Sequence, residues 1–583
     1  MYLAKLAISN FRKLKNVEVS FRPGLNVVIG PNNVGKTAVV DALRALLAGA
    51  DDPYPRFTID DVHCPKGGKP SGPITFVYTF CDLTLDDEAD FMSALKPAAG
   101  GLLEAQISVR YADPDQAGRL RVKRWCGNND DVPLTSDMME NLRGVYLPPL
   151  RDAAQGLKPS RTSQLSRLLH LLSDQAGRDL INEELEKLDK ALKTHAPLVL
   201  TEQSIVGRHK SMLGAQLAQA LEIGLSASDF QKLAARTSLL VDSLEIEHNG
   251  LGFNNLIFMA VVLSELAKNP EAAFRGLIVE EPEAHLHPQL QSVLLNYLSS
   301  IHLDQGEKAV QVFVTSHSPN FASGAKLDTL VCLVETASGV RTFSPGHVSF
   351  GPSKREKLER YLDVTRAELF FAGRVIFVEG AGERMLISVL AEKAGYSLRE
   401  HAVSLISVDG LNFDSFLPLF GETALNVPVA AITDADPPAV EMVAEQPKVA
   451  VYPASGDVVT LSDNTAAMKK HEDTFVKVFH GVKTFEYDLA LHPELRPLMI
   501  AALKELKPQV GADLEKAVDA EIGDAAKAKT LFKGMFERSS NNVQKGSFGQ
   551  ALAAQIADHD GALPCPPYIL AAIKHACQVA VPV

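Results

Sequence analysis

The sequence predicts an α/β fold in which two parallel-sheet domains follow one another and a helical segment interrupts the first. Two observations predict this arrangement. Near the N-terminus an apolar strand runs directly into a glycine-rich loop, GPNNVGKT, and then into an apolar helix. In the last third of the chain, apolar runs of strand length, beginning with RVIFV, alternate with helix-forming stretches. That alternation is typical of a parallel βαβ sheet.

Length and composition describe a large soluble globular protein. The chain has 583 residues, 46% of them hydrophobic, and a formal net charge of −13. At about 100 to 200 residues per domain, this length predicts three or four folding units, each with its own core. Six cysteines stand singly, which favours neither a disulfide framework nor a zinc module. Without a signal-peptide core or an apolar run of about 18 residues, we expect a cytoplasmic protein and no membrane partner.

The predicted elements divide the chain near residue 365. Domain 1–365 is expected to begin with short strands, to continue with strands between 74 and 122, and to end with the strands SLEIEH, GLIVEE and VQVFVTSH. Long polar helix-forming sequence from about 155 to 235 predicts a helical insertion in it. In domain 366–583 the predicted strands are 375–378, 403–408 and 427–433.

Residues 30–37, GPNNVGKT, fit the phosphate-loop pattern GxxxxGK[ST] between a strand and a helix. The glycines let backbone N–H groups converge on phosphate oxygens, and the helix N-terminus adds a favourable dipole. Lys36 is expected to reach the β and γ phosphates of ATP, and Thr37 to ligate Mg²⁺. Asn32, Asn33 and Gly35 complete the predicted ATP-binding loop.

Two later strands end in residues suited to nucleotide hydrolysis. GLIV is followed by Glu280 and Glu281, and VQVFVTS by His317. If these strand ends face the phosphate loop, Glu280 holds Mg²⁺ directly or through water, and Glu281 orients and deprotonates the attacking water. His317 is expected to contact the γ-phosphate and to sense its hydrolysis.

In their order along the chain, ISNFR, GPNNVGKT, LIVEEPEAHLHP and TSHSP resemble ABC-type ATPases of the RecF and SMC kind, over roughly residues 1–345. The resemblance implies a signature segment that acts across a dimer on the partner's nucleotide. Its counterpart here is NGLGFNN, with Gly250 and Gly252 as ATP-binding residues, although it departs from the transporter pattern LSGGQ. The same resemblance places Arg151 near the nucleotide. It also assigns His285 and His287 to an interface loop, where packing is favoured over metal binding.

A second set of acidic residues follows the predicted strands of the C-terminal domain. Glu379 ends the first strand, and Glu383 follows at the start of a helix. Asp434 and Asp436 end a neighbouring strand, and alternation puts both on one side if the extended conformation continues. Four converging carboxylates suit Mg²⁺ or Mn²⁺, and two such ions can hydrolyse a phosphodiester.

These four acids, with Gly380, resemble a Toprim domain over about residues 370–580. An ABC-type ATPase joined to a Toprim domain is similar to the OLD (overcoming lysogenisation defect) family of nucleases. Two further segments support the resemblance: TFEYDL, which implies Glu486 as an extra metal ligand, and KGSF, which implies Lys545 as the residue that stabilises charge on the scissile phosphate.

Membership of that family implies an ATP-regulated, divalent-metal-dependent DNA endonuclease, with ATP and Mg²⁺ (or Mn²⁺) as cofactors. It further implies a homodimer to which the helical insertion contributes, a role in defence against phage or other foreign DNA, and in some members a UvrD-type helicase partner.

Two other functions remain open at this stage. A RecF-type clamp or loader would use ATP to close a dimer on DNA and would not need the Toprim acids and Lys545 together. A topoisomerase-like strand passer would need a tyrosine nucleophile on a separate DNA-gate domain, and none is apparent around the eleven tyrosines. Because the chain is acidic overall, DNA would bind restricted basic patches. The candidates for backbone contacts are Arg119, Arg121, Lys123, Arg124, Lys354 and Arg355.

Overall fold

The first unit of the fold combines two sheets with helices on their faces. The computed structural model describes residues 1–48, 53–65, 67–149, 156–214, 216–226, 229–242, 244–270, 272–301, 303, 305–439, 449–540 and 542–578. Its strands up to residue 345 are β1 (Tyr2–Phe11), β2 (Leu14–Ser20), β3 (Leu25–Ile29), β4 (Ile74–Cys81), β5 (Leu95–Pro97), β6 (Leu103–Ala112), β7 (Arg121–Cys126), β8 (Leu142–Leu147), β9 (Leu240–Val241), β10 (Leu244–Glu245), β11 (Phe274–Glu280), β12 (Gln311–Ser316), β13 (Leu330–Thr336) and β14 (Gly339–Phe343). Arg151 lies outside the described residues.

The α-helices of this unit fall into three groups along the chain. They are α1 (Lys36–Leu47), α2 (Leu85–Asp90) and α3 (Ser136–Glu140), then α4 (Gln164–Leu172), α5 (Gln175–Lys193), α6 (Ala196–Leu213) and α7 (Phe230–Ala234), and finally α8 (Leu251–Lys268), α9 (Pro288–Ser299), α10 (Pro319–Gly324) and α11 (Lys354–Tyr361). The second group occupies the segment for which the helical insertion is predicted.

The central sheet positions the phosphate loop. Its strand order is β14-β13-β3-β12-β11-β8, parallel throughout except for the antiparallel pair β13–β14. Every residue of β3, β11 and β12 is buried, as expected for strands covered on both faces. Because these three strands run parallel and side by side, the residues that follow each of them meet at one edge of the sheet. A separate antiparallel sheet, with the path β2-β1-β4-β6-β5 and β7 paired to β6, packs over α1.

The second unit contains a small parallel sheet with the order β16-β15-β17-β18, as the fold class predicts. Its strands are β15 (Arg374–Val378), β16 (Val403–Ser407), β17 (Val429–Thr433) and β18 (Val476–His480). Its α-helices are α12 (Ala381–Lys393), α13 (Phe413–Phe416), α14 (Asp463–Lys469), α15 (Phe485–Ala490), α16 (Arg496–Leu506), α17 (Pro508–Asp519), α18 (Asp524–Phe536), α19 (Lys545–Asp558) and α20 (Pro567–Gln578). Strand β18 was not predicted, because this edge strand buries only two of its five residues.

One hydrophobic core crosses the boundary between the two units. A single cluster of buried side chains includes Val27 of β3 and Val314 of β12 together with Phe377 of β15 and Val429 of β17. The two units therefore share one core on this side of the sheets. A second cluster, on the other face of the small sheet, is confined to the C-terminal unit.

Helix α8 is the one described helix that is long and apolar enough, by length and composition, to cross a membrane. Half of it is buried inside the fold, where Met259, Val262 and Leu266 pack against the central sheet. The sequence analysis did not expect such a helix, because Asn254, Asn255 and other polar residues interrupt its apolar run. A buried core helix meets the same criteria.

Gly144 allows β8 to pack against the end of the phosphate-loop helix. A Cβ atom at this position would lie 1.9 Å from the carbonyl oxygen of Leu47, the last residue of α1. We expect Gly144→Ala to destabilise the protein by about 1–3 kcal/mol, because backbone on both sides must move. Gly207→Ala, a control inside α6 with open space around it, should be neutral or stabilising by up to about 1 kcal/mol. Thermal unfolding measures both, and equal melting temperatures would contradict the packing argument.

Candidate nucleotide and metal sites

The phosphate loop connects β3 to α1 in a conformation that glycines permit. Gly30 has φ 151°, and a Cβ atom there would lie 2.7 Å from the carbonyl oxygen of Leu333. Gly35, at φ 116°, directly precedes α1. The ammonium of Lys36 folds back and donates to the carbonyl oxygens of Gly30, at 2.6 Å, and Pro31, at 2.8 Å. The loop is thus pre-formed, with its lysine bound by its own backbone.

A cleft of about 190 Å³ lies beside the phosphate loop. It brings together most of the residues predicted to bind ATP, and its lining consists of Arg12, Lys13, Asn33, Gly35, Lys36, Thr37, Ala38 and His317. Asn32 is exposed and is not part of that lining. Sequence reasoning missed Arg12 and Lys13, although they stand in the quoted ISNFR motif and directly after it. Arg12 is held by Asp41, at 2.7 Å, and Asp61, at 2.9 Å.

Glu280, at the end of β11, lies next to Thr37 as predicted. The Thr37 hydroxyl donates to one carboxylate oxygen of Glu280 at 2.8 Å, and the Tyr146 hydroxyl donates to the other at 2.8 Å. Burial, and then this bond to Glu280, raises the pKa of Tyr146. Thr37 and Glu280 are close enough to bind one Mg²⁺ ion, and oxygen ligands of this kind suit that ion. Tyr146 was not predicted, because a tyrosine within a strand gives no sequence signal for such a contact.

Glu281 and His317 form a pair at the mouth of the cleft. His317 Nε2 lies 3.3 Å from a carboxylate oxygen of Glu281, which has a left-handed backbone with φ 46°. Burial and the nearby Lys36 charge lower the pKa of His317 against the opposing effect of Glu281. Burial also lowers the pKa of Lys36 to about 8. A neutral imidazole beside a carboxylate can accept or pass on a proton near neutral pH.

Glu283 fixes the end of β12 from the other side. One of its carboxylate oxygens accepts hydrogen bonds from the Ser316 hydroxyl at 2.9 Å and from the His317 backbone N–H at 2.8 Å. Burial raises its pKa. Glu283 therefore positions the strand that presents His317.

The predicted signature glycines lie apart from this cleft. Gly250 precedes α8, and a Cβ atom on Gly252 would lie 2.7 Å from the carbonyl oxygen of His285. Neither glycine belongs to the lining of the cleft. Leu251 and Phe253, which flank Gly252, are exposed. The segment is thus not part of the nucleotide cleft of its own chain.

The second site lies at the carboxyl ends of β15 and β17. Glu379, Glu383 and Asp434 each place a carboxylate oxygen within 4.8 Å of the other two. Glu379 accepts hydrogen bonds from the Thr433 hydroxyl at 2.8 Å and from the Asp434 N–H at 2.9 Å. Asp434 in turn accepts from the Phe485 N–H at 2.8 Å. The Glu379 N–H donates to Glu383 at 2.6 Å, so hydrogen bonds hold all three acids around one point.

The electrostatics of this cluster call for a cation. Burial and the neighbouring Glu379 raise the pKa of Glu383 to about 8. Burial and Glu379 also raise the pKa of Asp434 well above its ordinary value. Asp434 is buried and Glu379 and Glu383 are half-buried, so carboxylates crowded in this way favour a cation, and hard oxygen ligands suit Mg²⁺ or Mn²⁺. The donor set fits such an ion.

Asp436 does not join the cluster. The extended conformation ends at Thr433, and Asp436 has a left-handed backbone with φ 41° and an exposed side chain outside the group of three acids. Its N–H donates to the carbonyl oxygen of Lys483 at 3.1 Å. The prediction that alternation carries both aspartates to one side is therefore wrong, because it assumed a strand two residues longer than the one that forms.

Glu486 and Lys545 meet as an ion pair next to the cluster. Lys545 is the first residue of α19, and Glu486 lies within α15. Lys545 Nζ is 2.9 Å from a carboxylate oxygen of Glu486. Burial acts to lower the pKa of Lys545, but Glu486 and Asp434 raise it above its ordinary value. The lysine is therefore a stable cation beside three acids.

Asp488 is a further buried acid that sequence reasoning did not single out. It accepts a hydrogen bond from the Val482 N–H at 3.0 Å, and burial raises its pKa to about 7. Gly481 makes room for it, because a Cβ atom there would lie 1.7 Å from an Asp488 carboxylate oxygen. Asp488 thus positions the segment before α15.

Comparison with known proteins matches both units. The AAA ATPase domain family model matches residues 1–212 and 151–322, which together make up more than half of the chain. A model described as "overcoming lysogenization defect protein-like, TOPRIM domain" matches residues 370–436.

Among similar proteins, an OLD nuclease of Thermus scotoductus is 26% identical over 66% of this chain and 72% of its own length. Endonuclease GajA of Bacillus cereus HuB5-5 is 21% identical over 98% of both chains. The solved C-terminal region of the Burkholderia pseudomallei OLD protein has 24% identity and a TM-score of 0.24, covering 35% of this chain and 97% of that structure.

The raised pKa of Glu383 predicts how metal-free stability depends on pH. Between the ordinary value of 4.5 and about 8, the folded chain holds a proton on Glu383 that the unfolded chain has lost. Stability in EDTA should therefore fall as pH rises through this window, and added Mg²⁺ or Mn²⁺ should restore it most at the high end. Glu383→Gln should flatten the pH dependence of the melting temperature. An unchanged slope in this variant would contradict the assignment, and Glu494→Gln, an exposed site elsewhere in the unit, is the control.

Proposed function

We propose that this chain, which belongs to the AAA ATPase domain family and joins that domain to a Toprim domain of the overcoming lysogenization defect type, is an ATP-regulated, divalent-metal-dependent DNA endonuclease. The coarser assignment, a nuclease of the OLD type, follows from the family models and the named relatives. The finer parts rest on the two sites. The observation that carries the proposal is the convergence of Glu379, Glu383 and Asp434 beside the Lys545–Glu486 pair.

This arrangement suits phosphodiester hydrolysis. A divalent ion bound there supplies Lewis acidity and a nucleophilic hydroxide at neutral pH. Glu379, Glu383 and Asp434 would hold it, and Glu486 is placed to join them when Lys545 turns towards a phosphate. Lys545 would then stabilise the negative charge that develops on the scissile phosphate. DNA is the substrate class we assign, because the relatives are named as nucleases and endonucleases.

ATP binding and hydrolysis are assigned to the cleft beside the phosphate loop. Lys36 would leave its backbone carbonyls for the phosphates, and Thr37 with Glu280 would hold Mg²⁺. Glu281 is placed to activate the attacking water. His317, 3.3 Å from Glu281, is placed to contact the γ-phosphate and to sense its hydrolysis.

A contact between the two units supports control of cleavage by ATP. Arg341, on β14 of the ATPase unit, donates to the Asn426 side chain at 2.8 Å and to the Thr423 carbonyl at 3.2 Å in the Toprim unit. A cavity of about 760 Å³ next to this contact is lined on one side by Pro31 of the phosphate loop and on the other by Phe475, which precedes β18. Movement of the phosphate loop on nucleotide binding would therefore change contacts between the ATPase unit and the Toprim unit.

A homodimer accounts for surfaces that one chain leaves open. The signature segment, with exposed Leu251 and Phe253, takes no part in the lining of its own cleft, and in a dimer it would meet the partner's nucleotide. Exposed apolar side chains on the insertion helices, including Leu180, Leu200 and Met212, favour its use as a dimerisation element. A cytoplasmic location, a defence role against foreign DNA and cooperation with a UvrD-type helicase belong to the same proposal and rest on the resemblance.

Cleavage of supercoiled plasmid in Mg²⁺ or Mn²⁺, with and without ATP, tests the nuclease. Glu379→Ala, Asp434→Ala and Lys545→Ala should each reduce cleavage by about 100-fold or more, because each removes a ligand or a charge from the reacting phosphate. Glu494→Ala should cleave normally, and Asp436→Ala should lose less activity than the cluster variants. Plasmid that stays intact under every condition while DNA binding is retained would favour the RecF-type clamp instead.

Binding of a fluorescent ATP analogue tests the nucleotide site. Lys36→Ala should weaken binding at least about tenfold, whereas Lys15→Ala, an exposed lysine on β2, should not. Because the pKa of Lys36 is about 8 before nucleotide binds, and phosphate favours its charged form, the wild-type affinity should fall as pH rises above 8. Equal affinity of Lys36→Ala and wild type would refute the site.

A further inference from the structure

Three lysines surround one tyrosine ring in the Toprim unit. The ammonium groups of Lys483, Lys529 and Lys533 lie 4.6, 5.3 and 5.9 Å from the centre of the Tyr452 ring. Lys529 and Lys533 are exposed on one face of α18, whereas Lys483 is 8% exposed. The Tyr452 hydroxyl donates to Glu537, which holds the ring in place. We call Tyr452 and these lysines the lysine cluster.

The lysine cluster lacks carboxylate partners within the described part of the chain. None of its three ammonium groups forms an ion pair there, and ring contacts are the interactions they make. The nearby acids are committed elsewhere: Glu537 to the Tyr452 hydroxyl and Asp457 to the Ala454 N–H. Three cations so close together repel one another, and burying one of them without an anion costs free energy.

The basic residues first considered for DNA contact differ in this respect. Arg119 pairs with Asp115, Lys123 with Asp130, Lys354 with Asp414 and Arg355 with Asp328. Arg124 stacks on the Tyr54 ring and donates to the Ala45 carbonyl oxygen. Of the six predicted candidates, only Arg121 has no such partner in the described part of the chain. Most of the set therefore already has a partner within the chain, and its contact with DNA stays a prediction.

The lysine cluster is also joined to the acid cluster through backbone. The Lys483 carbonyl oxygen accepts from the Ala435 N–H at 2.8 Å, one residue beyond Asp434. Two residues after Lys483, the Phe485 N–H donates to the Asp434 carboxylate. The segment 483–485 thus touches both clusters and fixes the distance between them.

We propose that Lys483, Lys529 and Lys533 form a phosphate-binding site that holds the DNA backbone beside the phosphate to be cleaved. The proposal rests on the nuclease function and adds the surface that positions its substrate. Next to a metal site for phosphodiesters, the anion that suits these ammonium groups is a phosphate of the same strand. A cleft of about 470 Å³, lined among others by Pro437 and the fully exposed Val458, shares Tyr452 with the lysine cluster.

DNA binding and small-substrate cleavage together test the proposal. The variant K529E/K533E reverses two exposed charges and leaves the buried lysine in place. The control, K516E/K527E, makes the same charge change on α17 and α18, with Lys527 turned about 200° around the helix from Lys529. Binding of a labelled DNA duplex is measured by fluorescence anisotropy in EDTA at several salt concentrations. Hydrolysis of bis(p-nitrophenyl) phosphate in Mn²⁺ measures the activity of the metal site on a substrate that has no DNA strand.

We expect K529E/K533E to bind DNA at least about tenfold more weakly than the control, with a salt dependence reduced by about one to two ion equivalents. Its hydrolysis of the small diester should equal that of the wild type. Equal DNA affinity of the variant and its control would overturn the phosphate site while leaving the nuclease intact. Failure of the wild type to cleave either substrate would instead refute the proposed nuclease, and the anisotropy result would still decide whether the cluster binds DNA.

Discussion

Both candidate sites depend on one constraint: parallel strands end at the same edge of a sheet, so acids placed after them are forced together. In the ATPase unit this brings Glu280 to Thr37, and in the Toprim unit it brings Glu379 to Asp434. Burial of these acids and then repulsion between them are the cost, and both raise the pKa of Glu383 and of Asp434. A cation relieves this cost, so the same geometry that strains the metal-free chain selects a divalent ion. Hydrogen bonds from Thr433 to Glu379 and from Phe485 to Asp434 hold these two acids in place against their mutual repulsion.

The sequence was informative wherever chemistry follows a strand directly. Lys36, Glu280, Glu379 and Asp434 each stand immediately after an apolar run or in a glycine loop, and each lies in its expected place. Asp436 shows the limit of that reasoning, because one left-handed residue ends the alternation on which the prediction depended.

Side-chain contacts between residues far apart along the chain could not be predicted from the sequence. Tyr146 reaches Glu280 across 134 positions, and Lys483 approaches Lys529 only through the packing of Tyr452 against α18. Edge strand β18 was not predicted, because a strand with two buried residues in five has only a weak hydrophobic periodicity. Side chains that act through tertiary contact, rather than through their place after a strand, are those that only the folded chain reveals.

The core shared by the two units bears on how this protein can evolve. A side chain such as Phe377 is packed by residues of its own sheet and belongs to the same cluster as residues of the ATPase strands. A Toprim unit taken from a distant relative would therefore meet a foreign surface and leave cavities, which destabilise a core in proportion to their volume. Substitutions along this boundary therefore have to be matched by residues on the other side. Recombination between relatives should succeed at exposed loops within either unit more readily than at the boundary between them.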